Sequence, residues 1–474
     1  MTPARRASVF AHGVMAGLLS LSAPAFAEAV DPVSRPTSPD FSEQLETHKS
    51  YAIPAVELVS FDLLLNLFDR HVEGHDYDSN LKSIRHNLGA SWRTDSDPFL
   101  INQVGHPYQG ATYHGIARSA GLNYWEAAGY TFLGSAFWEV AGETTPPSRN
   151  DQITTGIGGS FLGEELYRMA NLVLAHDDIP RVWRELGAAL ISPPTGFNRL
   201  AFGDRFDAVF DSHNPAYYSR LQIGFSGVTQ NSAGRSTVKL ARGAALTDFS
   251  LEYGLPGKPG YHYTRPFDYF NFQATLSSAN GFENLMTRGL LIGTEYASGD
   301  NFRGIWGLYG SYDYLAPQTY RVASTAASFG TTGQWWLSPT VALQGTALLG
   351  VGYAAVGTAR STDVTDNNFG VAPQTVLAMR MIFGHAAALD LSAREYYVSN
   401  VDNPGVSKDN IARVEASITV PIHGRHAISL RYLGNRRDAT YRTAGDLTQT
   451  RSTVGIFYTY LGHEGFGAVD WRGQ

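Results

Sequence analysis

The residues that could do chemistry are concentrated in one stretch of this sequence. Between Trp92 and Asp204 stand His106, Glu139 and Asp151, an imidazole and two carboxylates, with Asn102, Arg118, Glu164 and Arg168 around them. A histidine near carboxylates is the side-chain set of general acid–base catalysis, and a lipid-modifying hydrolase or transferase would use His106 with one of the acids in that way. Paired with one another, the same groups would form a hydrogen-bonded network that fixes helices. The network is the preferred reading, because Trp125, Phe132, Phe137 and Trp138 surround the charges with apolar bulk, and an isolated buried charge is too costly to persist. His106, Arg118, Glu139 and Asp151 are expected to meet near one end of a helical bundle, with Asn102 and Glu164 at its edge. There is no G-x-S-x-G elbow, no H-E-x-x-H and no G-x-x-x-x-G-K-[ST] loop. With 0 cysteines, thiolate metal sites and Cys nucleophiles are excluded. No metal or cofactor is expected, and the enzyme question leans towards no.

Helices must position these residues. Val56, Leu58, Val59, Leu63, Leu64 and Phe68 recur near the 3.6-residue period behind Pro54, and further helices are expected over Leu122–Val140 and Asp151–Leu174. Ser148-x-x-Asp151 has the form of a capping box, with the serine accepting from a first-turn amide and the acid reaching back. Glu164 and Arg168 stand four apart in the favourable order for a pair on a helix surface. Gly159 and Gly163 put small residues on one face, and Ala128, Thr131 and Ser135 do the same on the preceding helix, so these two helices are expected to pack closely.

The motif run reads Trp92…Asp95-x-Asp97-x-Phe99-x-x-Asn102-Gln103-x-x-His106-Pro107-Tyr108-x-Gly110-x-x-Tyr113 and Arg118-x-x-Gly121. It continues through Trp138-Glu139, Gly142-Glu143, Pro147-Ser148-x-Asn150-Asp151, Gly158-Gly159 and Gly163-Glu164, then Pro194-x-Gly196-x-Asn198-Arg199 and Gly203-Asp204. Over about residues 90–205 this resembles the bacterial envelope family called domain of unknown function 3943. The resemblance implies an address in the cell envelope and a shared motif set, not an activity.

Beyond Pro215 the period changes to two. Ala412, Val414, Ala416, Ile418 and Val420 share one face against Arg413, Glu415, Ser417 and Thr419; Ile428, Leu430 and Tyr432 oppose Ser429 and Arg431. Phe270, Phe272, Ala274 and Leu276 oppose Asn271, Gln273, Thr275 and Ser277, and Val341, Leu343, Ala347, Leu349 and Val351 oppose Gln344 and Thr346. Tight connections at Leu337-Ser338-Pro339, Phe383-Gly384-His385 and Pro421–Gly424 alternate with long polar stretches at Gly357–Gly370, Ser399–Asn410 and Gly434–Thr450. That rhythm is the one shown by the short turns and long loops of outer-membrane barrels. About twelve strands are expected, starting near residues 216, 243, 267, 285, 301, 320, 339, 372, 385, 410, 425 and 450; an even number puts both barrel ends on one side. Thr453-x-Gly455-x-x-Tyr458-x-Tyr460 resembles the signal that such barrels offer to their assembly machinery, although Leu461–Gln474 follows it.

Composition agrees. Charged residues are 17%, aromatics 12%, glycines 49 of 474 positions, and mean hydropathy is −0.18. No stretch after the leader has the roughly 18 apolar residues of a membrane helix. A net charge of −7 gives no basic footprint for nucleic acid. Arg5 and Arg6, an apolar run from Val9 to Leu21 and Ala25-Phe26-Ala27 form a signal peptide with cleavage after Ala27. The expected fold class is α+β: signal peptide 1–27, linker 28–50, helical motif domain 51–205 at the periplasmic mouth or plugging the barrel, antiparallel transmembrane barrel 215–462, and tail 463–474. The expected setting is a Gram-negative outer membrane, with its lipids and the barrel-assembly machinery as partners. The expected function is non-enzymatic, in envelope maintenance or passage of a small or lipidic molecule.

Overall fold

The computed structural model describes residues 49–72, 75–94, 97–232, 240–358, 368–399, 406–441 and 445–472. The expected signal peptide and most of the expected linker lie outside them, as does Asp95. The chain divides into two units, with the boundary between Ser212 and His213.

The first unit is helical: α1 (Ala52–Val72), α2 (Leu81–Gly89), α3 (His106–Ser119), α4 (Tyr124–Phe137), α5 (Arg149–Ile153), α6 (Gly159–Leu174), α7 (Arg181–Ile191) and α8 (Pro193–Phe202). Three π turns, Ile101–Gly105, Trp138–Gly142 and Thr154–Gly158, lead into α3, extend α4 and join α5 to α6. Asn123 starts α4 with a reciprocal capping box, accepting from the Glu126 amide while Glu126 accepts from the Asn123 amide. At Ser148 only half of the expected box forms. Ser148 Oγ accepts from the Asp151 amide, but the Ser148 amide donates to Glu139 Oε2 at 2.7 Å, because Glu139 is brought up by the π turn.

Gly159 and Gly163 do make a close helix contact, but not with α4. A Cβ on Gly159 would lie 2.6 Å from Gly110 Cα, and one on Gly163 would lie 2.7 Å from His114 Cβ, both on α3. The glycine at 110 has no side chain to hold the backbones apart, so the close approach falls there; α4 meets the joint instead, with Phe132 against Gly156.

The second unit is a closed antiparallel barrel of twelve strands in simple up-and-down order. They are β1 (Tyr217–Ser232), β2 (Gly243–Tyr253), β3 (Phe270–Ser277), β4 (Gly281–Ser298), β5 (Phe302–Leu315), β6 (Tyr320–Ser338), β7 (Val341–Thr358), β8 (Asn368–Phe383), β9 (Ala387–Ser399), β10 (Val406–His423), β11 (His426–Tyr441) and β12 (Gly445–Leu461). Closure pairs β1 with β12, so no edge is left. Much of the polar stretch 434–450 is strand rather than loop, since its alternate side chains pair inside the barrel: Arg437 Nε donates to Asp409 Oδ1 at 2.7 Å.

Strand alternation separates the two faces. Phe225, Trp306, Leu349, Leu377, Ile418 and Ile456 are exposed on the outside, an apolar belt of the kind that faces lipid. Inward side chains are buried and packed in layers. Tyr320, Val322, Val356, Ala372, Val398 and Ile411 form one apolar layer. Arg380 bridges Asp390 and Glu252 at 2.7 and 2.8 Å, Arg220 reaches Asp390 at 3.0 Å, and Arg394 reaches Asp313 at 3.3 Å. At the end with the tight turns, the tail after β12 folds back among inward residues. Phe466, Val469 and Trp471 pack with Tyr218, Trp336, Ile382 and Leu461. Gln334 holds the Val469 backbone on both sides, and Gln344 donates to the Gly467 carbonyl at 2.8 Å.

Candidate functional site

The candidate residues of the helical unit fall into two groups rather than one. His106 and Arg118 both lie on α3, twelve residues apart, and a rise of 1.5 Å per residue separates their backbones by about 18 Å. No chain reversal can gather them at one end.

The first group surrounds the three π turns. His106 Nε2 lies 3.9 Å from Asp151 Oδ2. His106 Nδ1 stands 3.2 Å from Gln109 Oε1, an acceptor, so the ring proton belongs on that nitrogen. Gln109 Nε2 donates to the Tyr113 hydroxyl at 2.6 Å, and Tyr113 donates to Asp62 of α1. On the other side, Asn150 donates to Asp151 Oδ1, Ser148 Oγ to Asn150, and the Ser148 amide to Glu139. Asn102 is fully buried in the first π turn. Burial raises the Asp62 carboxyl to about 7, against hydrogen bonds from Tyr113 and Gln109 that favour the anion.

The second group centres on Glu164, which has no exposed surface. Arg118 Nε donates to its Oε2 at 2.7 Å, Arg168 Nε to its Oε1 at 2.9 Å, and His114 Nε2 lies 3.0 Å from Oε2. The Glu164–Arg168 pair is thus buried, not on a helix surface as its spacing suggests. Both guanidinium groups also lie over rings, Arg118 over Tyr167 at 4.6 Å and Arg168 over Phe210 at 4.8 Å. Burial by itself would raise the Glu164 carboxyl, but the Arg118 charge, the His114 hydrogen bond and Arg168 outweigh it and hold it well below the ordinary range. Burial lowers the His114 pKa, against Glu164, so the imidazole is neutral and donates. One carboxylate neutralised by two arginines is a structural clamp joining α3 to α6.

His114, Asp62, Tyr113 and Gln109 are the members that the sequence reading missed. For the three on α3 the signal was the pair of four-residue spacings Gln109/Tyr113 and His114/Arg118 on the helix that carries His106, whereas Asp62 lies on α1 and had none. Trp138 is buried as expected, whereas Trp125, Phe132 and Phe137 are exposed and do not shield the polar groups. Among the described residues no three His, Asp or Glu side chains converge as a metal site.

Residues 91–194, which hold all three π turns and both groups apart from Asp62, match the family described as Domain of unknown function (DUF3943). This segment resembles that family. No curated protein matches the sequence. The segment precedes the barrel, for which similar solved structures are found. A NanC porin structure is similar at 6% identity and a TM-score of 0.28, covering 50% of this chain and 98% of that one. The outer-membrane channel DcaP of Acinetobacter baumannii is similar at 8% identity and a TM-score of 0.24, covering 52% and 96%. OmpT, an outer-membrane protein of Vibrio cholerae, is similar at 10% identity and a TM-score of 0.20, covering 52% and 96%. These are likenesses of fold alone. The apolar belt of the barrel is the physical reason to put it in a membrane.

Proposed function

We propose that this chain is a non-enzymatic protein of a Gram-negative outer membrane, exported with a cleaved leader and inserted by the barrel-assembly machinery. Its barrel is a filled anchor rather than an open pore, and its DUF3943 domain serves envelope maintenance. The observation that carries this reading is the packing of the barrel interior. Twelve strands enclose more width than the eight at which side chains just fill a barrel, and here layered ion pairs, apolar side chains and the returning tail occupy it. A cavity among Arg413, Arg431, Arg451 and Glu283 measures about 10 Å³, room for about one water centre. Both polar groups of the helical unit, paired within themselves, support a structural role for His106, Glu139 and Asp151. The test is conductance of the purified full-length protein in planar bilayers. Bilayers without stable unitary steps are expected, and persistent open-channel steps would refute the filled-anchor reading.

A second reading, lipid modification by His106 with Asp151, is favoured by one observation: three π turns, a feature frequent at functional sites, adjoin this pair. Lipid A and phospholipid species compared between cells expressing the wild type and His106→Ala decide it. A species that depends on His106 would establish the enzyme and overturn the non-enzymatic proposal.

A further inference from the structure

Helix α1 is amphipathic in the reverse sense for a bundle surrounded by water. The side it buries carries Asp62 and Asn66, whose partners are Tyr113 and the carbonyls of Tyr77 and Gly142. The side it exposes carries Val56, Leu63, Leu64, Leu67 and Phe68, each between 49 and 67% exposed. No Asp, Glu, Lys or Arg of α1 is exposed, since Glu57, Asp69 and Arg70 are half-buried.

Helix α4 lies beside α1 and repeats the pattern. The two are held by Tyr130 donating to the Tyr51 carbonyl, by Tyr51 donating to Glu126, and by Leu58 against Gly134. Trp125, Phe132, Leu133 and Phe137 of α4 are exposed, and its one charged residue, Glu126, is half-buried against Lys49. Together α1 and α4 expose these nine large apolar side chains, more than the few hundred Å² of apolar patch that a soluble monomer usually shows.

We propose that this α1–α4 face is embedded in a lipid leaflet, which makes the helical unit an interfacial membrane domain. The inference rests on the membrane reading of the barrel. Two observations select lipid over a protein partner. The face presents no charge, whereas a protein interface keeps a polar rim that fixes register. The charged side chains lie at the helix ends or on the buried side, as a helix in the plane of a membrane interface requires. No helix among the described residues is long and apolar enough to cross a membrane, so the face lies along the leaflet rather than through it.

The sequence has 0 cysteines, so single reporters can be placed in the full-length protein. Nitroxide labels at Leu64→Cys and Leu133→Cys are compared with Leu349→Cys on the barrel belt and Asp177→Cys on an exposed turn of the helical unit. The protein is reconstituted in vesicles of phosphatidylethanolamine and phosphatidylglycerol. Collision with lipid-dissolved oxygen is measured against collision with a water-soluble nickel chelate. The expected result is an oxygen-to-nickel ratio at positions 64 and 133 matching that at 349 and well above that at 177. A ratio like that at 177 puts the face in water, and low collision with both reagents covers it with protein; either overturns the proposal. A water-like ratio at 349 would instead overturn the membrane reading of the barrel.

Discussion

Helix α3 closely approaches the π turn Thr154–Gly158 and the start of α6, and glycine-to-alanine substitutions there have a computable sign. A Cβ at Gly110 would stand 2.0 Å from the Thr155 carbonyl oxygen, and one at Gly159 would stand 2.6 Å from Gly110 Cα and 2.8 Å from its carbonyl carbon. All of these obstacles are backbone, so no rotamer change relieves them and the helices must separate. Overpacking of this kind costs about 1–3 kcal/mol, and contacts this short belong at the upper end. Alanine returns about 1 kcal/mol in helix propensity, leaving a net loss of about 2 kcal/mol. Gly129 on α4 is the internal control: nothing lies within 4 Å of its would-be Cβ, so Gly129→Ala should gain the propensity term alone, about 1 kcal/mol. The predicted gap of about 3 kcal/mol corresponds to roughly 6–12 °C for a unit of this size. Protease cleavage of the helical unit against temperature reads that gap, while heat-modifiable gel migration reports separately that the barrel is intact. If Gly110→Ala and Gly159→Ala melt with Gly129→Ala, the close-contact reasoning is wrong.

Three further outcomes are expected. Glu164→Gln leaves Arg118 and Arg168 buried without their counter-charge and should cost the helical unit about 3–5 kcal/mol; the same proteolysis assay measures it, and a loss under 1 kcal/mol would contradict the clamp. Asp62 has a folded pKa of about 7 against an ordinary aspartate value of 3.8, so its folded form holds a proton that the unfolded chain releases. Its contribution is fully present below about pH 3.8 and is lost as pH rises through about 7. The unit should lose stability over that window, and Asp62→Asn should make the profile shallower, the remaining slope coming from Glu57, which burial also raises to about 7. Truncation after Leu461 removes Phe466, Val469 and Trp471 from the tight-turned end and leaves Gln334 and Gln344 without their backbone partners. Bilayer recordings of the truncated protein should show new conductance or noise absent from the full-length chain.

Much of the barrel was legible because strand alternation is local. One face must meet lipid and the other the interior, so Val414, Ile418 and Val420 against Arg413, Ser417 and Thr419 announce the two sides without any distant contact. Tight turns at 339, 384 and 424 reinforce the count, because a two- or three-residue connection leaves adjacent strands no choice of partner. The same reasoning misjudged 434–450, where polar side chains suggest loop. Arg437 and Asp409 are polar because they pair inside the barrel, and that pairing joins different strands.

In the helical unit the sequence determined which residues would be buried together in kind, not in place. It named Arg118 and Glu164 as members of a buried polar set, since charges set among apolar helices need partners, but its four-residue spacing put the Glu164–Arg168 pair on a helix surface. Their division from His106 and Asp151 follows from the length of α3, which keeps its two ends about 18 Å apart. The choice of α3 rather than α4 as the partner of Gly159 and Gly163 depends on Gly110 lying opposite them, a register that spacing along one helix does not contain. Which side of α1 faces inward was likewise beyond the sequence. A 3.6-residue period marks an apolar stripe, but only the packing of Asp62 and Asn66 against Tyr113 and Gly142 shows that the stripe of Leu63, Leu64 and Phe68 points outward.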